Sequence, residues 1–549
     1  MFFQWIKSGK PWIWLTGGAV SVSLVSVFGL LLLIGWKGLV YFWPMPLSVW
    51  TDEGGNKIAG QVYQRSTIPV SRLSHRQESL PKEVIEAGSV EQLSIKVANR
   101  ELYPLDFISV LKPNLSEPEY PQDWVVLERT QNGSFFGKPL AYVTENGRYT
   151  SNVKSHLKYG VDFGNSIRVE IDRILNVEVR EIGWELSQIR LKKRKVEFEG
   201  ELTTLYLDEY DEKKKALESL ISEAEAKLAQ LRSKLSSEYL VVEEMSGGVH
   251  QIPLIDILDA WYPNDMTYLE QFFHWTKQAK KFLLDDPREA NSEGGVFPAI
   301  FGTVFLVLMM SIIVTPLGVL AAVYLHEYAE NNALTRTIRV AVINLAGVPS
   351  IVYGVFGLGF FVYTIGGSID ELFYADKLPT PTFGTPGILW SALTLALLTL
   401  PVVIVSTEEG LGRIPSSVRD GSYALGATQF ETLWRIVLPM ASPAIITGLI
   451  LAVARAAGEV APLMLVGVAK LAPSLPVDGH YPYVHLERKF MHLGYHIYDV
   501  GFQTPNIEAA RPLVYATSFL LVMVVVGLNL TAINIRNNLR EKYRALGQD

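Results

Sequence analysis

Two ionisable residues stand inside an otherwise apolar stretch of the sequence. Arg455 and Glu459 are the only charged residues between Ile436 and Ala469. A charge at the centre of a bilayer costs at least about 2.5–3.5 kcal/mol, so such groups face a bundle interior, pair with each other or line a polar path. Four residues apart on one helix, they would share a face. The pair predicts either the lining of a polar path or a structural ion pair that locks the helix.

A second pattern lies just upstream, between Arg413 and Arg435. A short stretch with small residues on one side can approach the surface of another protein closely, and Gly426 permits a left-handed bend. We expect Pro439 to mark the entry into the next apolar segment. Candidate docking residues are the polar or small Asp420, Gly421, Ser422 and Gly426, the downstream Ile436, Leu438 and Pro439, and the apolar Tyr423, Phe430, Leu433 and Trp434.

The sequence has six apolar segments, and the fifth contains Arg455 and Glu459. Each is long enough to cross roughly 30 Å of hydrocarbon as a helix. The segments are Pro11–Trp36, Phe297–Leu325, Val340–Ile369, Leu378–Thr407, Ile436–Ala469 and Pro512–Ile535. They predict an all-α polytopic membrane protein with six transmembrane helices. We expect the first segment, which follows Lys7 and Lys10, to be a retained signal anchor rather than a cleaved signal peptide.

Charge is distributed unevenly along the 549 residues. Residues 42–296 carry 31 Lys and Arg against 40 Asp and Glu, whereas the remainder carries 18 against 16. The acidic balance argues against nucleic-acid binding. The chain has no cysteine, and His75, His156 and His250 are isolated, so the sequence predicts no metal site and no cofactor.

The positions of basic residues predict how the chain crosses the membrane. If the amino terminus is cytoplasmic, the inside segments hold eleven Lys and Arg and the short outside loops hold five. This asymmetry favours cytoplasmic termini. The predicted domains are the cytoplasmic amino terminus and first span (1–41), a large external insert (42–296), a five-helix core with a cytoplasmic loop at 408–439 (297–535), and a basic cytoplasmic tail (536–549).

The insert reads as a soluble α+β domain. A β-rich region is expected at about 92–177, from runs such as Leu93–Val97 and Ser166–Ile171 and from turns at Asn132-Gly133 and Asn146-Gly147. A helical, coiled-coil-like region is expected at about 178–238, because apolar residues recur every three or four positions from Leu217 to Leu235. This helix could pair with the preceding one as a hairpin or form one long helix with it. The apolar seam of this helix could pack within the insert or bind a partner protein.

The loop and the membrane segments resemble a known family. The spacing from Asp420 through Gly426 to Ile436-Val437-Leu438-Pro439 resembles the "EAA" loop of binding-protein-dependent ABC importer permeases, E-A-A-x3-G-x9-I-x-L-P, with Asp, Gly and Ser in place of the first three residues. Residues 1–45 and 290–549 resemble the phosphate-specific members. The matching runs are Thr315–Val319, Tyr324–Tyr328, Asn344–Gly354, Thr407–Glu409 and Ala454–Leu463.

The resemblance implies an inner-membrane permease for inorganic phosphate in a bacterium. Its implied partners are a sister permease, a cytoplasmic ABC ATPase dimer that grips the 420–439 loop, an external phosphate-binding protein and membrane lipid. Arg455 would then contact phosphate and Glu459 would set its position. The chain has no Walker A sequence, so we expect a transporter subunit rather than an enzyme. A permease for sulfate or molybdate, or a membrane-anchored sensor or scaffold, are the alternatives.

Overall fold

The computed structural model describes residues 10–73, 85–86, 88–103, 105–288, 291, 293–504 and 507–544. The chain divides into two compact units, Phe42–Lys281 on the one hand and Met1–Tyr41 with Phe282–Asp549 on the other. We call the first the insert and the second the membrane unit. Residues 1–9 and 545–549, at the ends of the segments that we predict to be cytoplasmic, lie outside the described residues, as does His75.

The membrane unit is built from helices. All six apolar segments form helices long enough to cross a bilayer, which confirms the predicted number of spans. Spans one to six are Trp12–Val40, Phe297–Tyr328, Ser350–Phe373, Ile388–Gly412, Gln429–Ala456 and Ala510–Leu539. The first span belongs to the helix Lys10–Val40 and the sixth to the helix Ile507–Arg544. Shorter helices lie between the spans at Ala333–Leu345, Ser416–Ala424, Leu463–Val466 and Leu493–Tyr498.

The third span is shorter than the apolar run predicts. The run begins at Val340, but the structure places a separate helix at Ala333–Leu345 and starts the span at Ser350. Pro349 lies at the break. A proline lacks the backbone N–H that a helix interior needs and disfavours helical geometry in the residue before it. The apolar run therefore extends across Pro349, whereas the helix is interrupted there.

Span four lies at the centre of the membrane unit, with 67 % of its most apolar window buried. Small residues bring its neighbours close. A Cβ added at Gly318 of span two would stand 2.6 Å from Val403, and one at Gly448 of span five would stand 2.7 Å from Ser406. Close backbone approach of this kind drives helix association where lipid and protein are equally apolar. The loop after span four is therefore mounted on a tightly packed group of three helices.

The insert contains two antiparallel sheets. The strands are β1 Ser48–Thr51, β2 Lys57–Pro69, β3 Ser89–Lys96, β4 Phe107–Leu111, β5 Val125–Arg129, β6 Phe135–Thr144, β7 Gly147–Tyr149, β8 Tyr239–Glu243, β9 Val249–Pro253 and β10 Ile257–Trp261. One sheet has the order β1-β2-β3-β4, and the other has the order β10-β5-β6-β8-β9 with β7 paired to β6. A two-stranded ladder of the membrane unit pairs β11 Pro287–Arg288 with β12 Glu293–Gly294. An α+β insert is thus correct.

Parts of the predicted β-rich region have a different structure. Asn132 and Gly133 adopt positive φ angles of 63° and 69° between β5 and β6, as a tight hairpin requires. The prediction of a strand at Ser166–Ile171 is wrong, because these residues belong to the helix Val153–Arg173. Their alternation suits a strand, but buried positions of this helix such as Leu157, Val161, Gly164 and Ile167 recur every three or four residues. Leu157, Val161 and Ile167 pack against the larger sheet.

Two antiparallel helical segments follow, as one of the two alternatives predicts. The first continues from Val153 through a wide turn at Ile174–Val179 to Phe198, and the second is Thr204–Ser237. Within the second helix, Ala224, Leu228 and Leu235 are buried. Ala224 and Leu228 pack against Ile174 of the first segment. The apolar seam is therefore used for packing within the insert.

Candidate functional site

The loop after span four contains a short helix with a defined end. The helix Ser416–Ala424 stops where Gly426 takes a φ of +86°. The N–H of Gly426 donates to the carbonyl of Tyr423 (2.9 Å), and the N–H of Ala427 donates to that of Ser422 (3.2 Å). These two bonds form a Schellman motif, which satisfies carbonyls that a helix end would leave open. The expected left-handed bend at Gly426 is present.

A new helix begins immediately after this bend. Thr428 is its N-cap: its hydroxyl accepts from the N–H of Glu431 (3.3 Å), and the Glu431 carboxylate accepts from the N–H of Thr428 (3.0 Å). This reciprocal capping box fixes the helix start. A buried hydrogen bond of 2.8 Å joins the Ser422 and Thr432 hydroxyls and ties the two helices together. Only three residues, Leu425, Gly426 and Ala427, separate the helix end at Ala424 from this cap.

Pro439 lies in the first turn of the α-helix Leu438–Ala456, but this helix continues a helical segment that starts further upstream. The helix begins at Gln429 and runs through Pro439 to Ala456. Leu433–Val437 form a wide turn of π type directly before the proline. A wider turn relieves the clash between a proline ring and the preceding backbone. Ile436 and Leu438 are half-buried within this continuous helix.

An arginine in the loop helix anchors it to the end of span two. The Arg419 guanidinium donates to the Glu327 carboxylate at 2.7 Å and to the carbonyls of Ile414 (2.8 Å) and Leu411 (3.1 Å). Both side chains of the ion pair are largely buried. Because the three acceptors belong to two different segments, Arg419 fixes the loop helix against the bundle.

Apolar side chains face outward around the bend. Leu425 is 90 % exposed, and Tyr423, Phe430 and Trp434 are also exposed. The Phe430 and Trp434 rings are stacked, with centroids 6.4 Å apart and planes 9° apart. Leu433, the fourth predicted anchor, is buried instead and packs beneath the loop. We call Tyr423, Leu425, Phe430 and Trp434 the loop patch. A rigid loop that exposes such a patch has the character of a protein-docking surface.

The predicted loop residues differ in what they contact. Asp420 and Gly421 are exposed on the loop helix, and a Cβ at Gly421 would meet nothing within 4 Å. Ser422 faces inward and makes the hydroxyl contact to Thr432. Asp420 and Gly421 can therefore meet a partner directly, whereas Ser422 acts by holding the bend.

Arg455 and Glu459 do lie close together, but they do not share a helix. Span five ends at Ala456, so Arg455 is in its last turn and Glu459 is beyond it. The N–H of Glu459 donates to the carbonyl of Ala456 (3.2 Å), and this turn brings Glu459 Oε1 to 3.6 Å from Arg455 Nε. Gly458 and Pro462, both poor helix formers, explain why the apolar run to Ala469 does not continue as one helix.

The chain after Glu459 returns to the bundle at a glycine-rich part of span three. A Cβ added at Gly354 would stand 2.7 Å from the Cα of Pro462, and one at Gly357 would stand 2.3 Å from the Thr394 hydroxyl. These contacts hold the segment after the ion pair against spans three and four. The side chains of Arg455 and Glu459 are only partly covered by the rest of this chain.

Sequence reasoning missed several residues that build the site. The capping box has a local signal, since Thr428 and Glu431 follow the S/T-x-x-E pattern. The contact between Arg419 and Glu327 has none, because 92 positions separate them. Among the residues that the structure describes, no group of three or more His, Asp or Glu side chains is arranged to hold a metal ion.

Comparisons with known proteins place the chain in a family. Residues 314–544 match the family model for the binding-protein-dependent transport system inner membrane component. The chain is 35 % identical over 220 residues to the phosphate transport system permease protein PstA of Mycobacterium leprae (40 % of this chain, 65 % of that protein). It is 39 % identical over 175 residues to PstA 1 of Mycobacterium tuberculosis strain H37Rv (32 % and 51 %). The chain thus spans about half to two thirds of the length of these curated relatives.

A Bacillus subtilis relative is matched over more of its length. The probable ABC transporter permease protein YqgI is 32 % identical over 244 residues, which are 44 % of this chain and 76 % of that protein. A solved structure of the MetNI methionine ABC transporter in an inward-facing conformation aligns with a TM-score of 0.32 at 20 % identity, over 45 % of this chain and 94 % of that chain. With its six spans and the match over residues 314–544, the chain belongs to the family of binding-protein-dependent transport system inner membrane components, which are ABC transporter permeases.

Proposed function

We propose that the chain is the permease subunit of an ATP-driven importer of inorganic phosphate. The proposal that phosphate is the substrate rests on the similarity of the membrane unit to PstA proteins of several organisms. A sister permease completes the pathway, a cytoplasmic ABC ATPase dimer drives it, and an external phosphate-binding protein delivers the anion. The chain does not hydrolyse ATP itself, since its sequence has no Walker A loop.

The ATPase binds the loop patch in this proposal. The patch is apolar and exposed, and the Schellman motif, the capping box and Arg419 hold it in one conformation. Preorganised surfaces bind with less loss of conformational entropy. Movement of the ATPase is then transmitted to the bundle by rigid-body rocking of the spans.

Both termini and the loop face the cytoplasm, and the insert faces the outside of a bacterial inner membrane. The support is the bias of Lys and Arg toward the segments at the loop side. Six spans return the chain to the side where it started, which agrees with two termini in one compartment.

Phosphate contacts Arg455 at the end of span five. The guanidinium group stands 3.6 Å from Glu459, a loose pairing that a phosphate oxygen can compete with. Glu459 then positions the arginine between passages and repels the anion afterwards. The role rests on the partial exposure, the charge and the position of the pair at the end of a membrane span.

Uptake of radioactive phosphate by cells that depend on this importer tests the role of Arg455. We expect Arg455→Met to lower uptake roughly tenfold to a hundredfold, the loss of one charged hydrogen bond of about 1.5–3 kcal/mol. Arg413→Met, which removes an exposed arginine of the loop, is the control. Full uptake by Arg455→Met at equal membrane abundance would exclude the role.

Co-purification in mild detergent tests the wider assignment. We expect a second permease and an ATPase to accompany the chain, and phosphate to stimulate ATP hydrolysis in the reconstituted complex. Stimulation by sulfate or molybdate in place of phosphate would show a permease for another oxyanion. A chain that purifies without any ATPase, and with an intact loop, would favour a sensor or scaffold.

A further inference from the structure

The helix at the junction of the insert and the membrane unit exposes its apolar side. The helix is Tyr268–Leu284, and its outward residues are mainly large and apolar. Tyr268 is 86 % and Leu269 72 % exposed, and the others are Phe272, Phe273, Leu283 and Leu284. We call these six residues the apolar face. The opposite side, with His274 and Phe282, is buried. A contiguous patch of this kind on a protein surface marks an interaction site.

The centre of the apolar face is compatible with an apolar medium. Thr276 lies among these residues, and its hydroxyl donates to the carbonyl of Phe272 (2.6 Å), so it needs no water. Lys277 and Lys280 are exposed on the same helix, and Lys277 Nζ also lies 2.7 Å from the Asp259 carboxylate. Long basic side chains bury their stems along apolar surface and carry their charge to the polar layer.

The end of this helix is fixed to the start of a membrane span. The N–H of Val296 donates to the carbonyl of Phe282 (2.8 Å), and the N–H of Phe297 donates to that of Asp285 (3.4 Å). Phe297 is the first residue of span two. The last turn of the helix is therefore held at the depth where the chain enters the bilayer.

We propose that the helix Tyr268–Leu284 lies along the membrane surface, with the apolar face in the boundary between headgroups and acyl chains. Aromatic residues are enriched at that depth, where one end of the side chain is apolar and the other is wet. An apolar face with lysines within and beside it is typical of helices that bind a lipid surface in its plane. The partner of the face is thus the bilayer that the six spans cross.

Spin labelling of the full chain in lipid nanodiscs tests this placement. The chain has no cysteine, so each single-cysteine variant carries one label. Labels replace Phe272 and Phe273 on the apolar face, and Ser222 on the exposed side of the helix Thr204–Ser237 is the control. We expect oxygen, which concentrates in lipid, to reach the first two labels more readily than a water-soluble nickel complex, and the opposite order at Ser222.

Two other results would overturn the proposal. Labels at Phe272 and Phe273 that the nickel complex reaches as readily as Ser222 would place the face in water. Labels shielded from both reagents would show that a protein covers it, whether a second copy or another subunit. Brominated lipids give an independent reading, since they quench a fluorophore at Phe273 but not at Ser222 if the face lies in the bilayer. Monodisperse elution of each variant confirms that it is folded.

Discussion

Replacement of Arg419 should loosen the loop helix while the bundle stays folded. The guanidinium group satisfies the Glu327 carboxylate and two backbone carbonyls, and the ion pair is largely buried. Breaking a buried pair costs about 3–5 kcal/mol. Because His326 Nδ1 stays 3.0 Å from the carboxylate, we expect Arg419→Met to cost about 2–3 kcal/mol, less than a fully buried pair costs.

Amide hydrogen exchange in nanodiscs measures this cost locally. Exchange reports the free energy of local opening, so amides of the helix Ser416–Ala424 should exchange roughly 30- to 150-fold faster in Arg419→Met. The control is Arg413→Met, an exposed arginine of the same loop, for which we expect less than about 0.5 kcal/mol.

A double-mutant cycle identifies the contact that is responsible. Adding Glu327→Gln to Arg419→Met removes the unpaired carboxylate and should recover about 1–2 kcal/mol. Equal exchange in Arg419→Met and Arg413→Met, or costs of the two replacements that simply add, would refute the view that this ion pair holds the loop.

Two further changes test other parts of the chain. Gly426→Ala should destabilise the loop by about 1–2 kcal/mol, because φ is +86° there. Gly421→Ala, in open space on the helix, should stabilise the loop by up to about 1 kcal/mol. Exchange of the same amides measures both changes in stability, and changes of the same sign would contradict the assigned backbone geometry. Burial lowers the pKa of His274 from 6.5 to about 4, so the unfolded chain binds a proton that the folded insert does not, and the insert should lose about 3 kcal/mol between pH 6.5 and pH 4. His274→Phe, which keeps a ring against Trp261, should flatten this decline in denaturant titrations of the full chain, and an unchanged pH profile would exclude His274 as its source.

Local signals in the sequence predicted much of the architecture. Hydropathy identifies the six spans because a helix that crosses a bilayer needs about twenty consecutive, mainly apolar residues. It does not locate helix ends: Pro349 divides one apolar run, and another passes Ala456 without remaining helical. The strand predicted at Ser166–Ile171 failed because its alternation is compatible with two structures, and the larger sheet selects the helix.

The candidate site was predicted less completely than the spans. The spacing around Gly426 located the loop, since a bend and two helix ends are encoded within about twenty residues. Neighbours in space but not in sequence, such as Glu327 for Arg419 or Thr432 for Ser422, depend on tertiary packing. The exposure of Phe430 and the burial of Leu433 likewise depend on which side of the helix meets the bundle.

The fifth span starts at the capped bend and ends beside the ion pair without an intervening break. At 1.5 Å per residue, its 28 residues make a rod about 40 Å long. Tilting such a rod by ten degrees about one end displaces the other end by about 7 Å. Torque applied at Thr428 thus reaches Arg455 as translation, and no chain of intermediate contacts is required to carry it.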